Sequence, residues 1–325
     1  MNSYLILLKI LSDGEIHSGQ KLSASVGVSR AAIWKQLQKL QEVTGLSLTS
    51  IKGKGYCLVG GLELLDRKLI LPLLASGVAG QLHELDIRDQ IDSTNTVALS
   101  WALKNARSGY VVVAEQQSAG RGRRGRNWVS PFGCNLYCSV VWGFQNGAAA
   151  LEGLSLAVGV AVARALKTIG ISQVEMKWPN DVLWGGRKLA GILLEMSGDA
   201  AGHCQVVIGI GINVSMTDSL SASAIDQPWT DVNSAAGAKV SRNQLLARLL
   251  SELLPALLEF EKNGFEAFHS EWSEMDAMVG RLVTVRLGEQ LIIGKAAGVS
   301  TNGSLALDTD IGRQWLHGGE VSLRL

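Results

Sequence analysis

The chain has 325 residues, 47% hydrophobic and 18% charged, with 30 Lys+Arg against 29 Asp+Glu and a formal net charge of +1. That balance can bury a real core and excludes a disordered tail protein, and near-neutrality excludes a chain that coats nucleic acid or membrane by bulk charge. At roughly 100–200 residues per domain, the length predicts two or three domains.

The charge is unevenly spread. Residues 1–59 carry seven Lys/Arg and three Asp/Glu, a net of +4, and the remainder carries a net of −3. A basic head on a mildly acidic body points to an N-terminal nucleic-acid module. Within the head, Leu5, Leu8 and Leu11 keep a helical period until Asp13-Gly14, and a short helical stretch from Ser18 to Val26 stops at Gly27. Ser29 is a good N-cap for a third helix with the buried stripe Ile33, Leu37, Leu40. This is a helix-turn-helix pattern, and it places Ser29, Arg30, Ala31 and Lys35 where a major groove would be read. Leu46–Ile51 then alternates like a strand, Lys52-Gly53-Lys54-Gly55 makes a tight basic turn, and Tyr56–Val59 returns, a hairpin of the wing type with Lys52 and Lys54 at its tip. The simpler alternative is a three-helix interaction module with solvated charges. Gly60-Gly61 closes a unit of residues 1–61, and residues 62–81 read as a linker helix that Pro72 threatens to interrupt.

Residues 82–277 alternate strand-like runs (Tyr110–Ala114, Leu136–Val141, Gly191–Met196, Gln205–Ile210) with helical ones (Thr96–Asn105, Leu151–Ile169, Asn243–Lys262). That interleaving predicts a sheet with helices packed on it, in an α/β or α+β domain. Residues 278–325 read as short strands at 282–287, 290–297, 305–307, 313–316 and 320–323. Cys57, Cys134, Cys138 and Cys204 form no CxxC pair and no His cluster accompanies them, so no metal site is expected. Lys9 breaks the apolar start, and Leu154–Leu166 is too short to span a bilayer and contains Arg164. The expectation is a soluble protein of the reducing cytoplasm with no membrane partner.

The most unusual segment is Gly120-Arg121-Gly122-Arg123-Arg124-Gly125-Arg126-Asn127-Trp128. Glycine lets backbone approach a ligand, and arginine offers forked donors to phosphate or carboxylate. With little apolar content and self-repelling charge, the loop is expected to order only around an anion. A single copy between two strands favours a phosphate clamp over an RG-type RNA-binding stretch. Trp128 offers a ring to stack on a base, though a tryptophan beside a strand is more often core. Lys177-Trp178-Pro179-Asn180-Asp181 is a turn, and Gly185-Gly186 is a hairpin tip that sets Lys188 at a strand start, its ammonium toward a cleft. Asp92-Ser93-Thr94-Asn95 ends a strand and caps a helix, and Gly209-Ile210-Gly211-Ile212-Asn213 is a weak nucleotide signal. GxxxxGK[ST], GxSxG and HExxH are all missing from the sequence.

Taken together, DSTN at 92–95, GRGRRGR at 120–126, KWPND at 177–181, RKLAGIL at 187–193, GIGIN at 209–213 and GGEVSLR at 318–324 resemble the bifunctional biotin–protein ligase/biotin operon repressor family. The resemblance covers essentially the whole chain. It implies an α+β fold: an N-terminal winged helix-turn-helix, a central mixed-sheet ligase domain and a small C-terminal SH3-like barrel. It implies that ATP, with Mg²⁺ on its phosphates, activates biotin to biotinyl-5′-AMP, and that a lysine of a biotin carrier domain then takes the biotinyl group. Ser93, Thr94, Asn95 and Gln117 match the biotin-contacting positions, and Arg121, Gly122 and Arg123 the adenylate-gripping loop. Lys188 matches the lysine beside the carboxylate and α-phosphate. Lys188, Arg121 and Arg123 are thus the implied catalytic cations. Trp128, Lys177, Asn180, Asp181 and Asn213 match the nucleotide side. The implied partners are carrier protein, operator DNA and a second copy of the chain in a ligand-promoted homodimer. Two readings compete, a non-enzymatic effector-binding regulator and a lipoate- or octanoate-type acyl transferase.

Overall fold

The computed structural model describes residues 3–145, 147, 151–198, 204–216 and 225–323. Arg324 of the C-terminal motif lies outside them. The head consists of α1 (Ser3–Leu11), α2 (Gly19–Val26), α3 (Arg30–Thr44) and the antiparallel hairpin β1 (Leu48–Ile51) and β2 (Gly55–Leu58). The expected stripes meet: Leu7, Leu8, Leu11, Leu22, Ile33, Leu37 and Leu40 share one buried cluster. The Ser18 and Ser29 hydroxyls accept the amide hydrogens of Lys21 and Ala32, capping α2 and α3, and Gly27 ends α2 at φ +74°.

The expected linker helix over 62–81 is not there. Only α4 (Arg67–Ile70) is α-helical, followed by single 3₁₀ turns at Leu71–Leu73 and Val78–Gly80. Residues 63–66 are irregular because side chains of the body take their backbone groups. Glu115 Oε1 accepts from the Leu65 amide, and Asn243 accepts from the Asp66 amide and donates to the Leu64 carbonyl. Behind them Arg242 pairs with Glu115 at 2.8 Å, with both side chains almost wholly buried. Removing one partner of such a pair costs on the order of 3–5 kcal/mol, so this strap is held firmly. Pro72, in the 3₁₀ turn, prevents α4 from continuing.

The body is a mixed seven-stranded sheet. Its strands are β3 (Glu84–Ile91), β4 (Tyr110–Gln117), β5 (Leu136–Phe144), β6 (Val174–Lys177), β7 (Asp181–Trp184), β8 (Arg187–Gly198) and β9 (Cys204–Ile212), in the order β3-β4-β5-β9-β8-β7-β6. The β3–β4 pair is parallel and the other pairs are antiparallel. Strand alternation gives the two faces different work. Val111, Val113, Cys138, Val140, Val206, Ile208 and Ile210 enter a large core with α6 (Leu154–Lys167), α8 (Arg242–Asn263) and α9 (Glu266–Glu274). On the opposite face Val112, Val141 and Val207 pack against α5 (Thr94–Ala102). A short helix, α7 (Val232–Ala236), follows the sheet.

The C-terminal strands are β10 (Leu282–Leu287), β11 (Gln290–Val299), β12 (Leu305–Thr309), β13 (Gly312–Leu316) and β14 (Glu320–Leu323), antiparallel in the order β13-β12-β11-β10-β14. Among the described residues β13 and β14 do not pair, so the sheet is open where a closed barrel was expected. The chain leaves β13 through Gly318-Gly319 and docks on β10 at the far edge instead. Val283, Val285, Leu305 and Leu307 share the core of the body. Among the described residues no helix is long and apolar enough to cross a membrane.

Candidate functional site

A cavity of about 460 Å³ opens on the α5 side of the sheet, and its floor is set by strand register. Ser139 of β5 pairs with Gly209 of β9, which pairs with Leu193 of β8, and Gly211 pairs with Gly191. These residues share the face that the neighbouring isoleucines do not use. The glycines make room. A Cβ on Gly211 would lie 2.4 Å from the Trp128 ring, and one on Gly191 would lie 2.9 Å from it. A Cβ on Gly209 would lie 2.2 Å from Asn95 Oδ1. The glycines of the GIGIN segment are therefore strand residues that admit side chains, and they build no phosphate-cradling turn.

All of the small-molecule site residues expected from sequence line this one cavity: Ser93, Thr94, Asn95, Gln117, Arg121, Gly122, Arg123, Trp128, Lys177, Asn180, Asp181, Lys188 and Asn213. At one end Ser93 starts α5 with no capping bond from its hydroxyl, while Gln117 Oε1 accepts from the Thr94 amide at 2.8 Å and from its hydroxyl at 3.1 Å. Gln117 Nε2 donates to Ser130, whose hydroxyl donates to the Trp128 carbonyl. Buried Ser139 reaches both Thr94 Oγ1 and Asn95 Oδ1.

At the other end Lys188 Nζ sits 2.8 Å from Asp181 Oδ1 and 5.4 Å from the Trp128 ring centroid, at cation–π range. The start of β8 is fixed by backbone bonds to Pro228 and Thr230. Asn180 is a hub: Nδ2 donates to the Ile192 carbonyl and Oδ1 accepts from Arg123 Nη1 at 3.0 Å. Asn213 reaches the cavity wall but donates its amide to the Thr230 carbonyl at 3.1 Å, which makes it a brace between segments. Lys177 closes the β6–β7 turn opposite Asp181. The Trp178 indole N–H donates to the Gly303 carbonyl, and Val321 lines the cavity, so the C-terminal sheet takes part in shaping it.

The arginine loop departs from expectation. It closes its own turn, with the Gly122 amide donating to the Arg126 carbonyl and the Trp128 amide to the Gly120 carbonyl. Its guanidiniums find protein acceptors: Arg121 meets Glu195 at 3.1 Å, Arg123 meets Asn180, and Arg124, at φ +55°, donates to the Arg286 carbonyl. These anchors supply the opposing charge and dipoles that its composition lacks, so an anion is not its sole source of order.

Sequence reasoning missed Ser130, Ser139 and Glu195. The available signal was a polar residue inside an apolar strand run, Ser139 in Leu136–Phe144 and Glu195 after Ile192-Leu193-Leu194. In the head, Arg30, Ala31 and Lys35 are exposed at the start of α3, Lys52 and Lys54 are exposed at the hairpin tip, and Ser29 caps the helix. Trp34 is half exposed on the same helix. Among the described residues, no group of three or more His, Cys, Asp or Glu side chains could hold a metal ion. The four cysteines are free, and burial pushes the Cys138 thiol up to about 12.

The model of the biotin/lipoate A/B protein ligase family matches residues 87–213, an HTH domain model matches 4–57, and a biotin protein ligase C-terminal domain model matches 279–324. The chain is 42% identical to the bifunctional ligase/repressor BirA of Salmonella typhimurium and 41% identical to that of Escherichia coli, over 98% of this chain and 97% of theirs. The structure of a biotin protein ligase from Aquifex aeolicus in complex with biotin and ATP superposes with a TM-score of 0.65 at 32% identity, over 75% of this chain and 99% of that one.

Proposed function

The chain belongs to the biotin/lipoate A/B protein ligase family, among its bifunctional ligase/repressors, and on that premise we propose how its cavity and head divide the work. The protein activates biotin with ATP to biotinyl-5′-AMP and passes the biotinyl group to a lysine of a biotin carrier domain. As a repressor it binds operator DNA through its head. The observation that carries this reading is the convergence of Lys188, Arg121 and Arg123 on one glycine-floored cavity beside Trp128.

Joining a carboxylate to a triphosphate brings two anions together. One carboxylate oxygen attacks the α-phosphorus, pyrophosphate leaves, and charge concentrates at phosphorus on the way. In our assignment Ser93, Thr94, Asn95 and Gln117 hold the biotin rings, and Arg121, Gly122 and Arg123 close over the joined product. Lys188 faces the carboxylate and α-phosphate, and preorganised cations there oppose the repulsion without reorganising. Trp128, Lys177, Asn180 and Asp181 form the nucleotide end, and Asn213 braces the strand that carries Lys188. The carrier lysine supplies the nucleophile for the second step, so the chain needs none of its own. Its amine forms the amide, loses a proton, and AMP departs. Mg²⁺ fits as an ion carried on the phosphates. Asp181 and Asp226, which line the cavity, would hold such an ion, and it would supply positive charge to the phosphates.

A cysteine-dependent acyl transferase fits less well, because Cys138 and Cys204 lie in the helix-side core and no cysteine lines the cavity. Incubation with ATP and either biotin, lipoate or octanoate separates the readings. Pyrophosphate release with biotin alone supports the ligase, and release with none of them leaves an effector-binding regulator. Operator DNA, ATP and four free thiols all suit the cytoplasm, where we place the protein.

The described residues of the head, 3–61 in the proposed division, contribute nothing to the cavity lining. A chain beginning at Gly61 keeps the strap and is expected to biotinylate a carrier domain at a rate within about threefold of the full chain while losing operator binding. Phe132 of the body packs into the head cluster, so some loss of stability accompanies the cut. Complete inactivity of a well-folded truncation would make the head part of the active site.

We also propose that biotinyl-AMP promotes dimerisation and thereby DNA binding. One head of net charge +4 makes few phosphate contacts and binds weakly with strong salt dependence. Two heads joined on a two-fold axis read two half-sites, which raises affinity steeply without new contacts. Sedimentation with and without biotin plus ATP is the check: the expected result is a doubling of mass with ligand, and an unchanged mass sinks the proposal.

A further inference from the structure

We propose that Glu195 is a positioning residue that latches the arginine loop to the floor of the cavity, an inference that rests on the ligase reading for its catalytic consequences. Its Oε2 accepts from Asn95 Nδ2 at 2.6 Å and faces Arg121 Nη2 at 3.1 Å. One oxygen therefore ties α5, at the biotin end, to the first arginine of the loop. Both bonds are strengthened by charge, which gives the latch strength as well as direction. Glu195 lies on β8 two residues beyond Leu193, which lines the cavity, and pairs with Val207, on the face that packs α5.

Asn95 cannot drift from this arrangement. Ser139 donates to its Oδ1 at 2.6 Å, and that oxygen fills the space left by the missing side chain of Gly209. Losing Glu195 removes the charged acceptor of Asn95 Nδ2 and the ion-pair partner of Arg121, while Ser139 still holds Asn95 Oδ1. Neither Asn95 nor Glu195 touches the Lys188–Asp181 end in the hydrogen bonds and ion pairs of the described residues. The latch is therefore predicted to act on biotin and on retention of the adenylate, and little on ATP.

The test uses the full chain with Glu195→Ala, Glu195→Gln, Arg121→Ala and the Glu195→Ala/Arg121→Ala double variant. The first measurement needs no chemistry: trypsin cuts after exposed arginines, and the rate of cutting within residues 121–126 reports how firmly the loop is held. Glu195→Ala is expected to raise that rate about 10-fold. In steady state it is expected to raise the biotin KM and the rate of biotinyl-AMP release about 10-fold, with the ATP KM within about twofold of wild type. Glu195→Gln keeps the shape but loses the charge, and gives a smaller change in the same direction. If Glu195 acts through Arg121, the double variant releases adenylate no faster than Arg121→Ala alone. Wild-type cutting rates in the Glu195 variants, or additive effects in the double variant, overturn the inference. Should Glu195→Ala fail to fold, Glu195→Gln decides alone by the cutting rate. Wild-type protein that releases no pyrophosphate with biotin and ATP defeats the ligase reading, while the cutting rates still decide the latch.

Discussion

Lys188→Ala is expected to fold normally and to slow adenylate formation on the order of 10²–10³-fold, the usual cost of losing one preorganised group at a developing charge. The fold survives because the start of β8 is held by backbone bonds at Lys188, which the substitution leaves in place. Two effects add to the loss. In the proposed assignment the ammonium no longer meets the charge at phosphorus, and Asp181 loses its 2.8 Å ion-pair partner beside the bound anions. The double variant Lys188→Ala/Asp181→Asn separates them: partial recovery assigns part of the defect to repulsion. Pyrophosphate release from biotin and ATP measures each variant. A near-normal rate for Lys188→Ala removes it from the chemistry.

Arg123→Gly is expected to convert a retained intermediate into a released one. Arg123 bonds Asn180, and Asn180 bonds the Ile192 carbonyl of β8, so this guanidinium fastens the loop to the sheet at the opposite end from Glu195. In the proposed assignment its loss removes a cation facing the adenylate and a fastening of the loop together. Water and bulk solvent then reach a reactive mixed anhydride that the closed loop keeps dry. The expected signs are release of biotinyl-AMP at least 10-fold faster than from wild type and biotinylation of exposed lysines on proteins that carry no biotin domain. Arg121→Gly should behave similarly through the Glu195 side. If both variants hold the intermediate as tightly as wild type and label only the carrier domain, the loop is not the clamp.

Much of the protein was legible in the sequence because local rules wrote it. Serine caps and leucine stripes marked α2 and α3, and the basic turn Lys52–Gly55 marked the hairpin. In the body, apolar runs located β4, β5, β8 and β9 to within a few residues of their ends. The arginine loop and the Lys177–Asp181 turn stood out by composition, and both line the cavity. The linker was misjudged because its helical spacing competed with Glu115, Asn243 and Arg242, which are distant in sequence and claim its backbone groups. The C-terminal strands were found individually, but no pattern within a strand states which neighbour it will choose.

By itself the sequence determined which residue types line the cavity and the order of head, sheet and C-terminal strands, because those follow from short-range periodicity, capping and motif chemistry. Tertiary structure alone decided how they meet. Gly191 and Gly211 become a seat for Trp128 only when β8 and β9 pair in one register, since a slip of one residue would turn one of them to the other face. Lys188 finds Asp181 across a strand pair, and Glu195 finds Asn95 and Arg121 from residues about 100 and 74 positions away. The Lys188–Asp181 contact crosses a local hairpin, but the Glu195 contacts depend on segments far apart along the chain, and a one-dimensional pattern carries the faces of each element but not the partner each face will meet.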